Sequence, residues 1–392
     1  MKILLINSIC GSGSTGRIVA DLWKALKEEG HEAKVAYGFG KASGVAQEDL
    51  IKYNNKAGYY IHNAFAKLTD KTGLYSTLQT KYLVKRIKEF DPDVIHLHQL
   101  HGYHINYKVL FDYLSKADKK VVWTLHDCWA ITGHCSHFSF NKCYKWKTEC
   151  DSCAYMDEYP VCYLKGNAKR NFQIKKQAFT SVKDITIVTP SEWLAGIVRD
   201  SFLGQYPIEV IHNGIDLTVF KPTESDFKEK NGISGKKMIL AVANVWNERK
   251  GFLDVLKLAE MLNDNYRIVM VGLTEEQKKS LPGKIIGITR TNDVQELVKI
   301  YSAADVFVNT TYEDNFPTVN IEALACGLPV ITYRTGGSPE ALLNESCGKV
   351  VNQGDISSVY DIITGDMVKN INCDISIYDK TKVGYKYLKV YN

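Results

Sequence analysis

Residues 304–340 read ADVFVNTTYEDNFPTVNIEALACGLPVITYRTGGSPE. An apolar, strand-like run ends near Thr310, and a polar turn follows. Pro317 then stands where the first residue of a helix would be, with Asp314 and Asn315 available as caps. Val319, Leu324 and Ala325 continue a helical spacing, and Gly327 ends it. A strand running into a helix in this way places the helix N-terminus at the carboxyl edge of a sheet. The unpaired amides around Thr318 and Val319 can meet a phosphate there. Glu322 lies about one turn inside the helix, eight residues after Asp314. A carboxylate in that position is unsuited to phosphate, but it accepts hydrogen bonds from sugar hydroxyls.

The same alternation fills the rest of the chain. KILLIN, AKVAYG, DVIHLH, KVVWTL, ITIVTP and IEVIHN are strand-like runs of the first half. KMILAVAN, RIVMVG, KIIGIT, DVFVNT and PVITYR are those of the second, with helical segments between them. Apolar runs of this kind indicate parallel sheets covered on both faces. Two such sets on 392 residues predict an α/β protein of two doubly wound, Rossmann-like domains facing each other across a cleft. The first spans 1–213 and carries a Cys-rich insertion at 128–162. The stretch 214–237 is polar, holds Pro222 and carries two Asn-Gly pairs, Asn213-Gly214 at its start and Asn231-Gly232, so it reads as a linker. The second domain spans 238–370. The aromatic-rich tail, 371–392, is predicted to form a helix packing at the interdomain face.

Near the N-terminus, KILLIN runs into CGSGSTGRIVADLW, where Gly11, Gly13 and Gly16 fit G-x-G-x-x-G. A helix is predicted from Arg17 to Glu29. The turn before it, with Gly13, Thr15 and Gly16, offers free amides to an anion. Arg17 and Ile18 follow Gly16, where a P-loop needs Lys and Ser or Thr. The second strand ends in Gly38, Gly40 and Lys41 without the acid that binds a cofactor ribose. An NAD-dependent oxidoreductase therefore stands as an alternative rather than the first reading.

Taken whole, 304–340 resembles the donor-binding signature of glycosyltransferase family 4 (glycosyl transferases group 1), which has the GT-B fold. That pattern is an acid, seven residues, Glu, then Ala-x-x-x-Gly-x-Pro-Val and a Gly-Gly-x-x-Glu loop. Glu322, Gly327, Pro329, Val330, Gly336, Gly337 and Glu340 match it. The first acid is Asp314, where the family usually has Glu, and Glu313 is its neighbour. LAVANVWNERKGFLDVLKLAEML resembles the family's first donor-domain strand, basic loop and helix. Val245 stands where an Arg is common, and Arg249 stands beside Lys250 instead. NSICGSGSTGRI, TLHDCW with His126, VTPSEWLA and IHNGID are similar to the family's N-terminal half.

The resemblance implies a retaining transfer of sugar from a nucleotide-diphosphate donor to an acceptor hydroxyl, with no catalytic metal. It places Arg249, Lys250, the amides near Thr318 and the Gly13–Gly16 loop toward the leaving diphosphate. Glu322 falls on the donor ribose, Asp314 on the donor sugar and His126 near the transferred sugar. Phe316 and Val319 complete the donor side, and Arg290 and Thr291, after KIIGIT, approach the base. The residues it marks as catalytic are Asp314, Glu322, His126 and Lys250. The implied acceptor is a glycan or lipid-linked glycan, in assembly of a cell-envelope, capsular or exopolysaccharide. A non-catalytic nucleotide-sugar-binding partner and a sugar epimerase are the alternatives from the same architecture.

Composition narrows the classes. Forty-nine Lys and Arg against 44 Asp and Glu leave a net charge of +5, too small an excess for a dedicated nucleic-acid binder. No apolar run has membrane-spanning length and no secretory signal follows Met1, so a cytoplasmic protein is expected, with peripheral contact at the inner membrane face. KYLVKRIKEF (81–90) and KGNAKRNFQIKKQAF (165–179) read first as solvated faces, then as contacts with an anionic membrane. The ten cysteines are expected as thiols or metal ligands rather than disulfides. Cys135, Cys143, Cys150 and Cys153 suit a structural zinc in an insertion without its own core, with free thiols as the alternative. His96 and His98 share one strand face with His101 just beyond. They are expected to line the acceptor site rather than bind metal.

Overall fold

The structure is a computed structural model and describes residues 1–164, 166–365 and 373–392. The chain divides into two compact units, Met1–His212 with Thr381–Asn392, and Asn213–Lys380.

The N-terminal unit runs β1 (Lys2–Asn7), α1 (Gly13–Glu28), β2 (Glu32–Tyr37), β3 (Leu50–Lys52), α2 (Lys56–Thr69), α3 (Thr77–Phe90), β4 (Val94–Leu97), α4 (Tyr107–Leu114), β5 (Lys120–Thr124), α5 (Ala168–Phe179), β6 (Ile185–Thr189), α6 (Glu192–Arg199) and β7 (Ile208–Val210). Its seven strands lie in the order β3-β2-β1-β4-β5-β6-β7, and every pairing is parallel. Ile3, Leu4, Leu5 and Ile6 of β1 are all fully buried, because helices cover both faces of the sheet.

The C-terminal unit runs α7 (Phe227–Lys230), β8 (Lys237–Val242), α8 (Phe252–Met261), β9 (Tyr266–Val271), α9 (Glu275–Lys279), β10 (Ile285–Ile288), α10 (Val294–Ala303), β11 (Val306–Asn309), α11 (Thr318–Ala325), β12 (Val330–Tyr333), β13 (Gly348–Val351) and α12 (Ile356–Thr364). Its six strands are ordered β10-β9-β8-β11-β12-β13, again all parallel. In each sheet the winding reverses once, between β1 and β4 and between β8 and β11. Loops beyond the carboxyl ends of such a pair diverge and leave a crevice, where ligands bind in open α/β sheets.

Several expectations need correction. Helix α1 begins at Gly13, not Arg17, so Gly13 and Gly16 lie in its first turn. The stretch 214–237 is not a bare linker. Ile215, Phe220 and Ile233 enter the core of the C-terminal unit, and the stretch also forms the short helix α7. The insertion 128–162 does not lack apolar anchorage, since Trp129, Ile131, Phe138 and Trp146 join the main core of the N-terminal unit.

Cys347 and Cys373, with Cα atoms 5.3 Å apart, form a disulfide, which corrects the expectation of thiols throughout. In the tail, α13 (Lys380–Tyr391) buries Val383, Tyr387 and Tyr391 in the core that holds Ile3, Leu5 and Val122. Positions 366–372, at the end of the second expected domain and the start of the tail, and Lys165 of the second basic stretch lie outside the described residues.

Candidate active site

In the C-terminal unit the two loops at the β8/β11 reversal are knitted together. After β8, the Asn247 side chain accepts from the Lys250 amide at 3.0 Å and shapes one 3-10 turn, Glu248–Lys250. Gly251 follows with φ of +73°, and a Cβ there would sit 2.1 Å from the Thr310 carbonyl oxygen. Only glycine lets the basic loop lie against the end of β11. The Thr310 hydroxyl closes the contact by donating to the Gly251 carbonyl at 3.1 Å.

This seat aims two cations. Lys250 Nζ stands 2.5 Å from Asp314 Oδ2, with both side chains about one-fifth exposed. Arg249 does not extend freely. Its guanidinium donates to the Glu313 carbonyl at 2.9 Å, and its own carbonyl accepts from the Tyr312 amide at 2.7 Å. The Gly-Gly loop backs this cluster. Gly336 has φ of +52° and would place a Cβ 1.9 Å from the Asp314 carbonyl oxygen, which also accepts from the Gly337 amide at 3.1 Å.

Helix α11 opens beside these groups. Pro317 is its N-cap rather than its first residue, and no acid lies in its first turn. The positive end of the helix is therefore not neutralised from within, and Thr318 and Val319 there are half-buried. Asn320 ties that end down, accepting from Asn309 Nδ2 at 2.8 Å and donating to the Ser338 carbonyl at 3.2 Å. Glu322, one turn inside, is buried and accepts from the Tyr301 hydroxyl at 3.0 Å. Burial, and then the Glu322 charge, hold the Tyr301 phenol well above its usual range.

Other expected donor residues lie differently. The Phe316 ring is in the core, 5.8 Å from that of Tyr378, so only its backbone remains for a ligand. Arg290 is exposed and Thr291 half-buried, just past β10, the edge strand of the sheet.

One contributor was not legible beforehand. Asp254, in the first turn of α8, is buried and accepts from the hydroxyls of Tyr312 at 2.7 Å and Tyr333 at 2.8 Å. It pins the loop that carries Asp314. Asp254→Ala would orphan two hydroxyls, each at about 1–3 kcal/mol where buried. A drop in the thermal midpoint of the isolated full-length protein is expected; an unchanged midpoint would dismiss this anchor.

In the N-terminal unit the reversal lies between β1 and β4. Gly11, with φ of +72°, lies so close to Ser43 that a Cβ would meet its carbonyl oxygen at 1.9 Å. Ser12 caps α1 without a side-chain bond, and no acid lies in the first turn, which leaves the amides from Gly13 onward available. Thr15 is held by Asn7 Nδ2 at 3.4 Å.

Beyond β4 and β5 lies a small pocket lined by His98, Gln99, His101, His126, Asp127 and Trp129 among others. His126 Nε2 meets His98 Nδ1 at 3.1 Å. Burial pulls the His126 imidazole down to about 4, outweighing Asp127 beside it, so the ring is neutral at pH 7. His101 is clamped, with Asp127 Oδ2 at 2.6 Å on one nitrogen and the Tyr159 hydroxyl at 3.1 Å on the other. Burial works to raise Asp127, but His101, by charge and hydrogen bond, and the Trp129 amide hold it at about 2.

His96 departs from its expected place. It bonds Tyr391 at 2.7 Å and Thr124 at 2.8 Å, so it secures α13 to the sheet rather than lining the pocket.

The four cysteines expected to bind zinc lie in one neighbourhood, with Cys135 buried within electrostatic range of Cys143, Cys150 and Cys153. Among the described residues, no group of three or more His, Cys, Asp or Glu side chains is placed to hold a metal ion.

Residues 15–219 match the family described as Glycosyltransferase Family 4, and residues 223–364 match Glycosyl transferases group 1. This chain is a family 4 glycosyltransferase. It is 24% identical over 384 residues to WcaC of Escherichia coli (strain K12), a protein named for colanic acid biosynthesis, covering 95% of this chain and 92% of that one. It is 29% identical over 218 residues to the N,N'-diacetylbacillosaminyl-diphospho-undecaprenol alpha-1,3-N-acetylgalactosaminyltransferase of Campylobacter jejuni, half of this chain and 57% of the relative. The fold of this glycosyltransferase is shared with sucrose-phosphate synthase of Thermosynechococcus elongatus, with a TM-score of 0.71 at 15% identity and coverage of 100% and 98%. It is also shared with Anabaena HepE crystallised with UDP, with a TM-score of 0.69 at 15% identity and coverage of 100% and 99%.

Proposed function

We propose that this glycosyltransferase moves a sugar from a nucleoside-diphosphate donor to a hydroxyl of a glycan or lipid-linked glycan, with retention of configuration, in building a cell-envelope, capsular or exopolysaccharide. The observation that carries the reading is the Lys250–Asp314 pair at the β8/β11 reversal, beside the acid-free N-terminus of α11 with Glu322 one turn inside. The name of the Escherichia coli relative supports the polysaccharide role, that of the Campylobacter relative a lipid-linked acceptor, and UDP in the HepE crystals a nucleotide at such a fold.

In the reaction, the bond from the sugar's anomeric carbon to the diphosphate oxygen breaks, and its electron pair leaves with the diphosphate. The bond to the acceptor oxygen forms on the same face, and the acceptor proton passes to the leaving phosphate. No side-chain nucleophile is assigned. Negative charge grows on the departing diphosphate, so Lys250, Arg249 and the α11 amides lower the barrier by being in place beforehand. Glu322 is assigned to ribose hydroxyls and Asp314 to the donor sugar. Neutral His126 and the clamped His101–Asp127 pair are assigned to sugar and acceptor hydroxyls at the N-terminal pocket, with the Gly13–Gly16 amides as further donors. Arg290 and Thr291 are assigned to the base. The oxidoreductase alternative has no support once the family is known, and β2 ends without the acid that reading needs.

A panel of nucleoside-diphosphate sugars tests the proposal by thermal shift. A cognate donor at about 100 times its Kd should stabilise the protein by about 2.7 kcal/mol, visible as a raised midpoint. NMR of the product's anomeric proton would check retention. If no nucleoside diphosphate or its sugar shifts the midpoint, the donor-site assignment fails.

A further inference from the structure

Helix α2 is amphipathic in an unusual sense: its apolar face looks outward. Of its 14 residues only His62 and Ala66 are buried. At 100° per residue, Tyr60, Ile61, Phe65 and Leu68 fall within an arc of roughly 140°, on the side away from the buried pair. These four are 45–58% exposed. The connection to α3 extends the surface. Phe65 packs its ring 5.6 Å from Tyr75, and just beyond it Leu78 is 76% exposed and Tyr82 48%. On the other side, Tyr163, also exposed, donates its amide to the Lys67 carbonyl at 2.7 Å.

The helix is held in place despite its small buried area. Asn55 caps it by accepting from the Gly58 amide, and His62 is bonded on both nitrogens, to Ser76 at 2.8 Å and to the Gly73 amide at 3.1 Å. The outward apolar face is thus a fixed surface and not a fraying end.

Charge decides what this surface fits. Residues 50–82 contain five lysines and a single acid, Asp70. Asp70 is withdrawn from the surface, buried against His134 at 2.5 Å and the Asn167 amide at 2.7 Å. A second copy of the same face would set lysines against lysines. An anionic bilayer satisfies both features, with Ile61, Phe65, Leu68 and Leu78 entering the acyl boundary. The tyrosines would sit at headgroup depth, and the lysines against lipid phosphates.

We propose that the outer face of α2, continued by Leu78 and Tyr82, docks this protein on an anionic lipid bilayer. The basic stretch 165–179, singled out by composition, is not this surface: Lys175 in it is buried and spends its ammonium on the Trp129 and Thr132 carbonyls at 2.6 and 3.0 Å. The surface does not depend on the transfer reaction.

Co-sedimentation of the full-length protein with phosphatidylcholine vesicles, with and without phosphatidylglycerol, tests it. Binding is expected to the anionic vesicles only, to weaken at high salt, and to fall at least tenfold in I61S/F65S and again in L78S. Both changes lie on exposed side chains, so the thermal midpoint and its shift with a donor sugar should stay as in the parent. Vesicle binding and donor binding can thus fail separately. Equal binding by parent and variants would overturn the proposal. So would no binding at low salt, or a parent dimer in sedimentation velocity that I61S/F65S abolishes.

Discussion

Lys250→Ala is expected to slow sugar transfer by about 10²–10³-fold, the usual effect of removing one fixed group that meets transition-state charge. Lys250 is only about one-fifth exposed and its ammonium sits on Asp314, so the loss could act in two ways. It removes a cation from the diphosphate, and it releases Asp314 from its partner. A double-mutant cycle separates them. If Lys250 serves only to hold Asp314, Lys250→Ala adds nothing to Asp314→Ala. If it acts on the diphosphate, the two losses compound and the kcat of the Lys250 variant falls more than its KM changes. Glu322→Gln should raise the KM for the donor with little loss of stability, because the amide oxygen still accepts from Tyr301. Glu322→Ala would in addition orphan that hydroxyl, which is fully buried with its residue, at about 1–3 kcal/mol. Transfer at the parent rate in Lys250→Ala or Glu322→Gln would contradict the assignments.

Lowering the pH from 7.5 to 5 is expected to unfold the N-terminal unit and leave the C-terminal unit folded. All ten histidines fall between His31 and His212, and none follows. Burial holds His62, His96 and His104 down at about 3 and His126 at about 4. In the unfolded chain the same rings titrate near 6.5. Between about 6.5 and 4 the unfolded chain therefore binds protons that the folded unit refuses. Stability is complete above 6.5 and drains away as the pH falls through that window. At pH 5 each ring has moved about 1.5 units past its unfolded value, or about 2 kcal/mol, and four make about 8 kcal/mol. That is comparable to the whole stability of a domain, about 5–15 kcal/mol. Hydrogen exchange read by mass spectrometry resolves the two units in one sample. Protection surviving across residues 1–212 at pH 5, or lost equally from 213–380, would refute this account.

The sequence by itself determined the architecture and the chemical kit. Buried parallel strands are short continuous apolar runs, so eleven of the thirteen strands among the described residues were visible within a residue or a few of their ends. The two that were not, β3 and β13, are edge strands of three and four residues, of which only one and two are buried. Their pairing comes from a neighbouring strand rather than from their own composition. Arg249, Lys250, Asp314, Glu322 and the Gly-Gly loop could be marked as candidates because each motif is local in the sequence.

What only the tertiary structure decided is which distant groups meet and which faces find cover. Asp254 reaches Tyr312 and Tyr333 across 58 and 79 residues, and His96 meets Tyr391 across 295; no spacing within a segment encodes such pairs. Cys347 with Cys373 is another. The periodicity of α2 announces two faces but cannot say which is covered. The α2–α3 connection and Tyr103 accept the narrow side at His62, and leave the aromatic, lysine-flanked side to whatever lies outside the molecule. Burial is a property of the partner as much as of the residue, and the partner is chosen only when the whole chain has packed.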